Sequence, residues 1–136
     1  MGCDIHLHTE AKINGKWEHF NAANMDRNYA LFDYMAGVRP DGKTTAISSP
    51  RGLPSDPSLV TALDAKTWGG DGHSHSWLGA AEIVALEEWL RLNCDDMFPE
   101  RQWGYLFGNS WGGFSRWPDE RPKEVEDVRF VFWFDS

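Results

Sequence analysis

Cysteine and basic side chains are scarce in this sequence, and it contains no long apolar run. Cys3 and Cys94 are the only cysteines, which excludes a disulfide-stapled scaffold. Together with the lack of a secretory leader pattern, this predicts a reduced, cytoplasmic setting. No apolar stretch approaches the roughly 18 residues that a membrane-spanning helix requires, so no membrane partner is expected.

The positive charge is also low, because 13 Lys and Arg face 21 Asp and Glu and the net charge is −8. Direct binding to nucleic acid is therefore not expected, since such proteins need a basic surface to neutralise phosphates. Three explanations of the negative charge stay open. They are a site whose bound metal brings its own positive charge, a surface that meets a basic partner, and an ordinary acidic surface.

The length of 136 residues predicts a single domain, 1–136, and excludes a (β/α)₈ barrel, which needs about 200 residues. Hydrophobic residues make up 41% of the chain, which is enough for a buried core. Eight tryptophans are more than a core of this size requires. Their number suggests that some rings form a stacking surface.

Residue patterns predict an α+β domain. Residues 3–13 and 16–20 form a predicted hairpin, because the dipeptide Asn14-Gly15 between them tolerates the positive φ angles of a tight turn. Apolar residues at alternate positions from Asp127 to Asp135 predict a central strand that pairs with the hairpin in an antiparallel sheet. We expect about three helices packed on one side of that sheet.

The three helices are predicted from their caps and their apolar spacing. Their ranges are about Asp26 to Ala36, from Ser55-Asp56-Pro57 to about Lys66, and about Gly79 to Asn93. A long loop, Val38 to Pro57, joins the first two helices, and such loops are often functional. Residues 69–72 are expected to be a flexible hinge, and residues 95–124 a loop-rich, aromatic segment.

The first strand carries the main candidate site. Side chains alternate along a strand, so Asp4, His6, His8 and Glu10 share one face while Cys3 faces the core. Two imidazoles at i and i+2 stand about 6.6 Å apart along the strand, and both can bind one metal ion from adjacent corners. Neutral imidazole with a carboxylate suits Zn²⁺ or Mn²⁺. Such an ion would lower the pKa of a bound water and polarise a phosphoryl or carbonyl group.

A second histidine pair, His73 and His75, precedes the third predicted helix. We expect it to complete the metal shell, so the predicted metal and catalytic residues are the following: Asp4, His6, His8, His73 and His75. Two other interpretations stay open. In the first, the two pairs are exposed polar residues of the surface and of a turn. In the second, the histidines are general acids and bases that act without a metal. His19 is interpreted as a surface residue of the hairpin.

Further residues are candidates for ligand binding. Arg27 and Asn28 open the first predicted helix with Tyr29, where cationic and amide groups can hold an anion. Arg39 is placed to reach a phosphate, and Trp111 to stack on a base or sugar. The alternatives are a solvated helix turn for the first three residues and core packing for the tryptophan.

The run Asp4-Ile5-His6-Leu7-His8-Thr9 resembles the first motif of the polymerase-and-histidinol-phosphatase phosphoesterases, Asp-x-His-x-His-Thr. Only six residues carry the likeness, and the chain is too short for that family's barrel. The resemblance therefore implies convergent phosphoesterase chemistry at most.

A second resemblance covers most of the chain. The start Met1-Gly2-Cys3-Asp4-Ile5-His6 resembles a family of small, uncharacterised bacteriophage and prophage proteins. The other matching segments are Asn14-Gly15-Lys16-Trp17, Arg27-Asn28-Tyr29, Gly37-Val38-Arg39, Gly52-Leu53-Pro54, His73-Ser74-His75-Ser76-Trp77-Leu78 and Phe132-Trp133-Phe134-Asp135. This resemblance implies a phage origin, the cytoplasm of a bacterial host and a role in counter-defence.

The combined prediction is a small metal-dependent hydrolase that acts on a phosphodiester or nucleotide. The alternative is a non-catalytic phage inhibitor. It would bind a host defence complex through its acidic surface, or sequester a nucleotide signal.

Overall fold

The computed structural model describes residues 2–23, 25–93 and 123–136. Four strands lie in these ranges, β1 (Asp4–Ile13), β2 (Lys16–Ala23), β3 (Gly72–Gly79) and β4 (Asp127–Asp135). Three α-helices accompany them, α1 (Tyr29–Ala36), α2 (Leu59–Trp68) and α3 (Ala80–Asn93), with a 3₁₀ turn at Gly69–Asp71. The predicted α+β class, hairpin and C-terminal strand are confirmed.

The strands form one antiparallel sheet in the order β2-β1-β4-β3. The hairpin turns at Asn14 and Gly15, whose φ angles are 52° and 76°. Strand β4 pairs with β1 along nine consecutive positions, from Asp4 opposite Asp135 to Lys12 opposite Asp127. The two ends of the described chain therefore lie side by side at the centre of the sheet.

One face of the sheet carries the hydrophobic core. Ile5 and Leu7 of β1 lie opposite Phe134 and Phe132 of β4, and all four side chains are buried. Helices α1 and α3 cover this face with their apolar residues, which are Leu31, Phe32, Met35, Ile83, Leu86 and Leu90. Burial of such side chains, at about 1.5–3 kcal/mol each, is the main source of stability here.

Helix α2 lies on the other face, so the prediction that all helices pack on one side is wrong. Asp64 and Trp68 of this helix contact His8 and His6, whose side chains alternate with the core residues of β1. The reason is that α2 buries only Thr61 and Ala65, which leaves it without the apolar stripe that the core face demands.

Strand β3 was not predicted. Residues 72–79 were expected to be a hinge, a turn and a helix start, because two glycines and alternating His and Ser give no apolar alternation. They pair with β4 instead, and the ladder breaks between His73 and Ser76, where Ser74 has a φ of 55°. This irregularity is a β-bulge, and it changes which face each following side chain meets.

The helix boundaries differ from the predicted ones by a few residues. Helix α1 begins at Tyr29 because Asn28 caps it, accepting a hydrogen bond from the amide of Leu31 at 3.1 Å. Helix α2 begins after Ser58, three residues beyond the predicted start. Residues 37–58 contain no helix or strand, as the predicted loop requires.

Across the described ranges, no helix is long and apolar enough to cross a membrane. Most of the predicted aromatic segment 95–124, including the candidate Trp111, lies outside the described residues.

Candidate functional site

A cleft of about 380 Å³ opens over the first half of β1, on the face covered by α2. Its polar lining consists of two imidazoles and three carboxylates, from His6, His8, Asp4, Asp64 and Asp135. Trp68 contributes an aromatic ring to the same cleft. The predicted location of the site on β1 therefore coincides with a concave, polar surface, which is the usual geometry of a small-molecule site.

His6 is held by a carboxylate from the neighbouring strand. Its Nε2 lies 2.5 Å from Oδ2 of Asp135, and both side chains are about one-fifth exposed. A carboxylate accepts only, so Nε2 of His6 carries the proton and Nδ1 of the neutral ring holds the lone pair. Trp68 packs on this ring with centroids 4.0 Å apart. The imidazole is thus oriented on one side and basic on the other.

His8 is buried and uses both ring nitrogens. Its side chain is 2% exposed, with Nε2 at 2.7 Å from Oδ2 of Asp64 and Nδ1 at 2.9 Å from Nε2 of His19. Because the carboxylate accepts a hydrogen bond from Nε2–H of His8, Nδ1 of the neutral ring accepts one from Nε2–H of His19. His8 therefore joins strand β1 to helix α2 and strand β2 at one point.

His19 lies on the same face as His8 because of the hairpin register. The tight turn at Asn14-Gly15 sets an unbroken register in which His19 lies opposite Glu10, and the one-residue shift comes only beyond this pair, between Thr9 and Glu10. Burial, and then the charge of His8, lowers the pKa of the His19 imidazole below its ordinary value. His19 lies on the hairpin, as predicted, but it is half-buried and hydrogen-bonds to His8, so it is not a plain surface residue.

Asp4 forms a two-point ion pair with Arg27 beside the cleft. The Nε and Nη2 groups of Arg27 donate to the two carboxylate oxygens at 2.7 and 3.1 Å. The hydrogen bond from Arg27 is the main reason that the pKa of Asp4 lies below its ordinary value. The pair is solvated, so the guanidinium can exchange Asp4 for another anion at low cost.

The indole of Trp133 forms the floor below the imidazoles. It is fully buried, and three rings stack on it, those of His6, His8 and His75, with centroids 6.1, 5.3 and 5.7 Å away. Within the described residues, the buried Nε1–H of Trp133 has no hydrogen-bond partner. Trp133 lies opposite His6 in the pairing of β1 with β4, so its ring is on the same face of the sheet as the imidazoles.

The second histidine pair is divided between two environments. His75 stacks on Trp133, whereas His73 is the register partner of Phe134 and hydrogen-bonds to Ser74 and Ser136. Burial, followed by the charge of His73, lowers the pKa of His75. The bulge at Ser74 removes the i, i+2 alignment that the sequence spacing implies.

Glu10 lies on the same face of β1 but belongs to a buried ion pair. Its Oε1 accepts from Nε of Arg129 at 2.7 Å, and its Oε2 accepts from the amide of Ser58 at 2.8 Å. Burial alone would raise the pKa of Glu10, but the hydrogen bonds from Ser58 and Arg129 lower it below the ordinary value. This carboxylate anchors the start of α2.

The remaining predicted ligand residues have structural contacts. Asn28 caps α1, and the hydroxyl of Tyr29 accepts from the amide of Cys3 at 3.1 Å. The guanidinium of Arg39 lies 5.2 Å from the Tyr29 ring centroid. Arg27 hydrogen-bonds to Asp4, which lines the cleft.

The predicted metal shell is not assembled. Within residues 2–23, 25–93 and 123–136, no three His, Cys, Asp or Glu side chains are placed to hold one ion. Zn or Mn binding therefore stays a prediction from the sequence.

The partners of the two histidines were missed because they are distant in sequence. Asp64 and Asp135 are 56 and 129 residues from the imidazoles that they contact. For Asp135 the strand alternation did carry a signal, since it shares a face with Trp133. For Asp64 the sequence carried no such signal, because the apolar residues of α2 follow no clear helical period.

No protein-family model, curated protein or solved structure matches this chain. Its function must be argued from the cleft itself.

Proposed function

We propose that this protein is a small hydrolase that acts on a phosphodiester or nucleotide in the cleft over β1. The observation that carries the proposal is the pair of His6 and Asp135, at 2.5 Å, with the other imidazole nitrogen available as a base. A histidine oriented by a carboxylate is the arrangement by which enzymes activate a hydroxyl or a water.

In the proposed reaction, Nδ1 of His6 takes a proton from a water molecule. The water oxygen attacks the phosphorus atom, and the bond from phosphorus to the leaving oxygen breaks. His8, once it carries a second proton on Nδ1, gives its Nε2 proton to that leaving oxygen and becomes a neutral ring again. Imidazole can serve in both of these opposite roles.

The other cleft residues support a nucleotide as the substrate class. Arg27 lies at the cleft on a solvated ion pair, and its guanidinium fits a phosphate with two parallel hydrogen bonds. The ring of Trp68 lines the cleft and is a surface on which a nucleobase can stack.

The test is hydrolysis of bis(para-nitrophenyl) phosphate and of a panel of linear and cyclic nucleotides by protein purified without a polyhistidine tag. We expect His6→Ala and Asp135→Asn each to lower kcat by about 100-fold or more. Arg27→Met should mainly raise KM, because it removes a contact to the substrate that is present in the ground state.

The matched control is His73→Gln, which removes an imidazole that hydrogen-bonds to Ser74 and Ser136. It should leave kcat unchanged. Activity that survives both His6→Ala and His8→Ala, in variants with wild-type denaturation midpoints, would contradict the proposal.

The predicted divalent metal enters the same experiment as a variable. Elemental analysis of the tag-free protein, with activity measured before and after EDTA treatment, distinguishes a metal-dependent route from acid–base chemistry by the histidines alone. Stoichiometric Zn or Mn that disappears in His6→Ala would support the metal route.

A second candidate function is non-catalytic binding of a host protein, and one observation supports it. Helix α2 exposes Leu59, Val60 and Leu63 at 73%, 48% and 55%, although surface helices usually turn such residues inward. Two results together would favour this candidate. Every nucleotide is recovered unchanged after incubation, and a partner protein binds the wild type but not Leu59→Glu/Leu63→Glu. Phage origin and counter-defence stay predictions in both cases.

A further inference from the structure

The hydrogen-bonded chain Asp64–His8–His19 crosses three elements of the fold, α2, β1 and β2. Its middle residue, His8, is 2% exposed, so its ring nitrogens have no direct access to bulk water. Its two ends are partly exposed, Asp64 at 36% and His19 to an intermediate degree. Any proton that His8 gives or takes must therefore pass through one of these ends or into the cleft.

We propose that His19 is the relay residue through which buried His8 exchanges protons with water. The inference rests on the proposed function for its catalytic meaning, because His8 is there the acid. The proposal adds a residue to that reaction, and it assigns His19, the third imidazole of the hairpin, a role that the cleft lining alone does not require.

The proton count follows from the geometry. Water delivers a proton to Nδ1 of His19, which becomes an imidazolium. His19 then passes its Nε2 proton across the 2.9 Å contact to Nδ1 of His8, and His8 gives its own Nε2 proton to the leaving oxygen. One proton enters at His19 and one leaves at His8, and both rings end neutral with the proton on Nδ1.

Asp64 is the poorer carrier of the two ends. A carboxylate only accepts hydrogen bonds, whereas an imidazole can take a proton on one nitrogen while it releases one from the other. Asp64 from α2 and Glu10 from β1 are acidic groups whose charges act on His19. The charges of Glu10 and Asp64 favour a proton on His19, and burial opposes it.

The experiment measures exchange of the His8 imidazole proton with water by NMR of protein labelled with ¹⁵N at histidine. We expect the wild-type spectrum to show His8 with its proton on Nε2. The informative variant is His19→Gln, whose side-chain amide can donate to Nδ1 of His8 from the position of Nε2 but cannot carry a proton onward. It should preserve the tautomer and slow the exchange by about tenfold or more.

His73→Gln is the control, and it should leave the exchange rate unchanged. In His19→Ala, free imidazole added to the buffer should restore exchange by occupying the vacated position. Exchange that is unaltered in folded His19→Gln, or a wild-type His8 that carries its proton on Nδ1, would overturn the relay.

The readout does not depend on turnover. Slowed exchange in a protein that hydrolyses nothing would support the relay and count against the proposed function. Hydrolysis that depends on His6, with His8 exchange insensitive to His19, would support the function and refute the relay.

Discussion

Nε2 of His8 lies 2.7 Å from Oδ2 of Asp64, and this contact connects the buried middle of β1 to α2, which packs on the face of the sheet opposite the hydrophobic core. Helix α2 contributes few buried side chains of its own, Thr61 and Ala65 alone being fully covered. Its position over the cleft therefore depends on polar contacts to β1 rather than on an apolar stripe.

Removal of this contact should destabilise the protein. Asp64→Ala leaves the buried Nε2–H of His8 without an acceptor, and we expect a loss of about 1–3 kcal/mol in the free energy of unfolding, measured by urea denaturation. Asp64→Asn keeps an acceptor oxygen and should lose less. Lys66→Ala, at an exposed position of the same helix, should change stability by less than about 0.5 kcal/mol. An equal loss in both alanine variants would contradict the role of the contact.

The buried pair of Glu10 and Arg129 should behave as a coupled unit. Their side chains are 0% and 7% exposed. Arg129→Met leaves the buried carboxylate of Glu10 without its cation, whereas in Glu10→Leu the guanidinium of Arg129 keeps its ion pair with Asp56. We expect a loss of about 3–5 kcal/mol for Arg129→Met, a smaller loss for Glu10→Leu, and a double variant that costs less than the sum. Urea denaturation of the four proteins gives the coupling energy. Additive losses would show that the two side chains act independently.

Stability should fall as the pH drops from about 7 to about 5. The pKa values of His19 and His75 are lowered in the folded protein, chiefly by burial. The unfolded chain, with an imidazole pKa of about 6.5, then binds more protons than the folded chain in this window. The stabilisation is therefore complete above the unfolded pKa and is lost toward the lowered folded pKa.

The measurement is the urea midpoint across that range, compared with His19→Gln/His75→Gln. The double variant should show a flatter dependence, since carboxylates stay ionised throughout. A wild-type midpoint that rises on acidification would contradict the prediction.

The stack around Trp133 should be sensitive to a single methyl group at Gly72. A Cβ there would lie 3.2 Å from Cδ1 of Trp133 and 3.4 Å from Nε2 of His75, so one of the rings must move. We expect Gly72→Ala to cost about 1–3 kcal/mol and to change the near-UV circular dichroism of the tryptophans. Gly70→Ala is the control, because a Cβ at Gly70 meets nothing within 4 Å. Identical spectra for both variants would place the stack elsewhere.

The hairpin and the final strand were predictable because their signals are local. Asn14-Gly15 specifies a tight turn, and the alternation from Asp127 to Asp135 specifies a half-buried strand. Strand β3 was not predictable, because residues Gly72 to Gly79 show no alternation of apolar and polar side chains and become a strand only by pairing with β4. The side of the sheet on which α2 packs was equally hidden, because its contacts to β1 are polar.

For the site, the sequence by itself determined that Asp4, His6, His8 and Glu10 would lie on one face of the first strand, because the strand period is two. It did not determine their partners. Only the tertiary structure decided that His6 meets Asp135, that His8 lies between Asp64 and His19, and that Glu10 belongs to Arg129.

The physical reason is that a side chain's direction follows from local backbone geometry, whereas its hydrogen-bond partner depends on register, bulges and helix placement between residues far apart in the chain. The face of β1 on which His8 lies follows from the strand period, but its contact with Asp64 depends on where a helix 56 residues away packs.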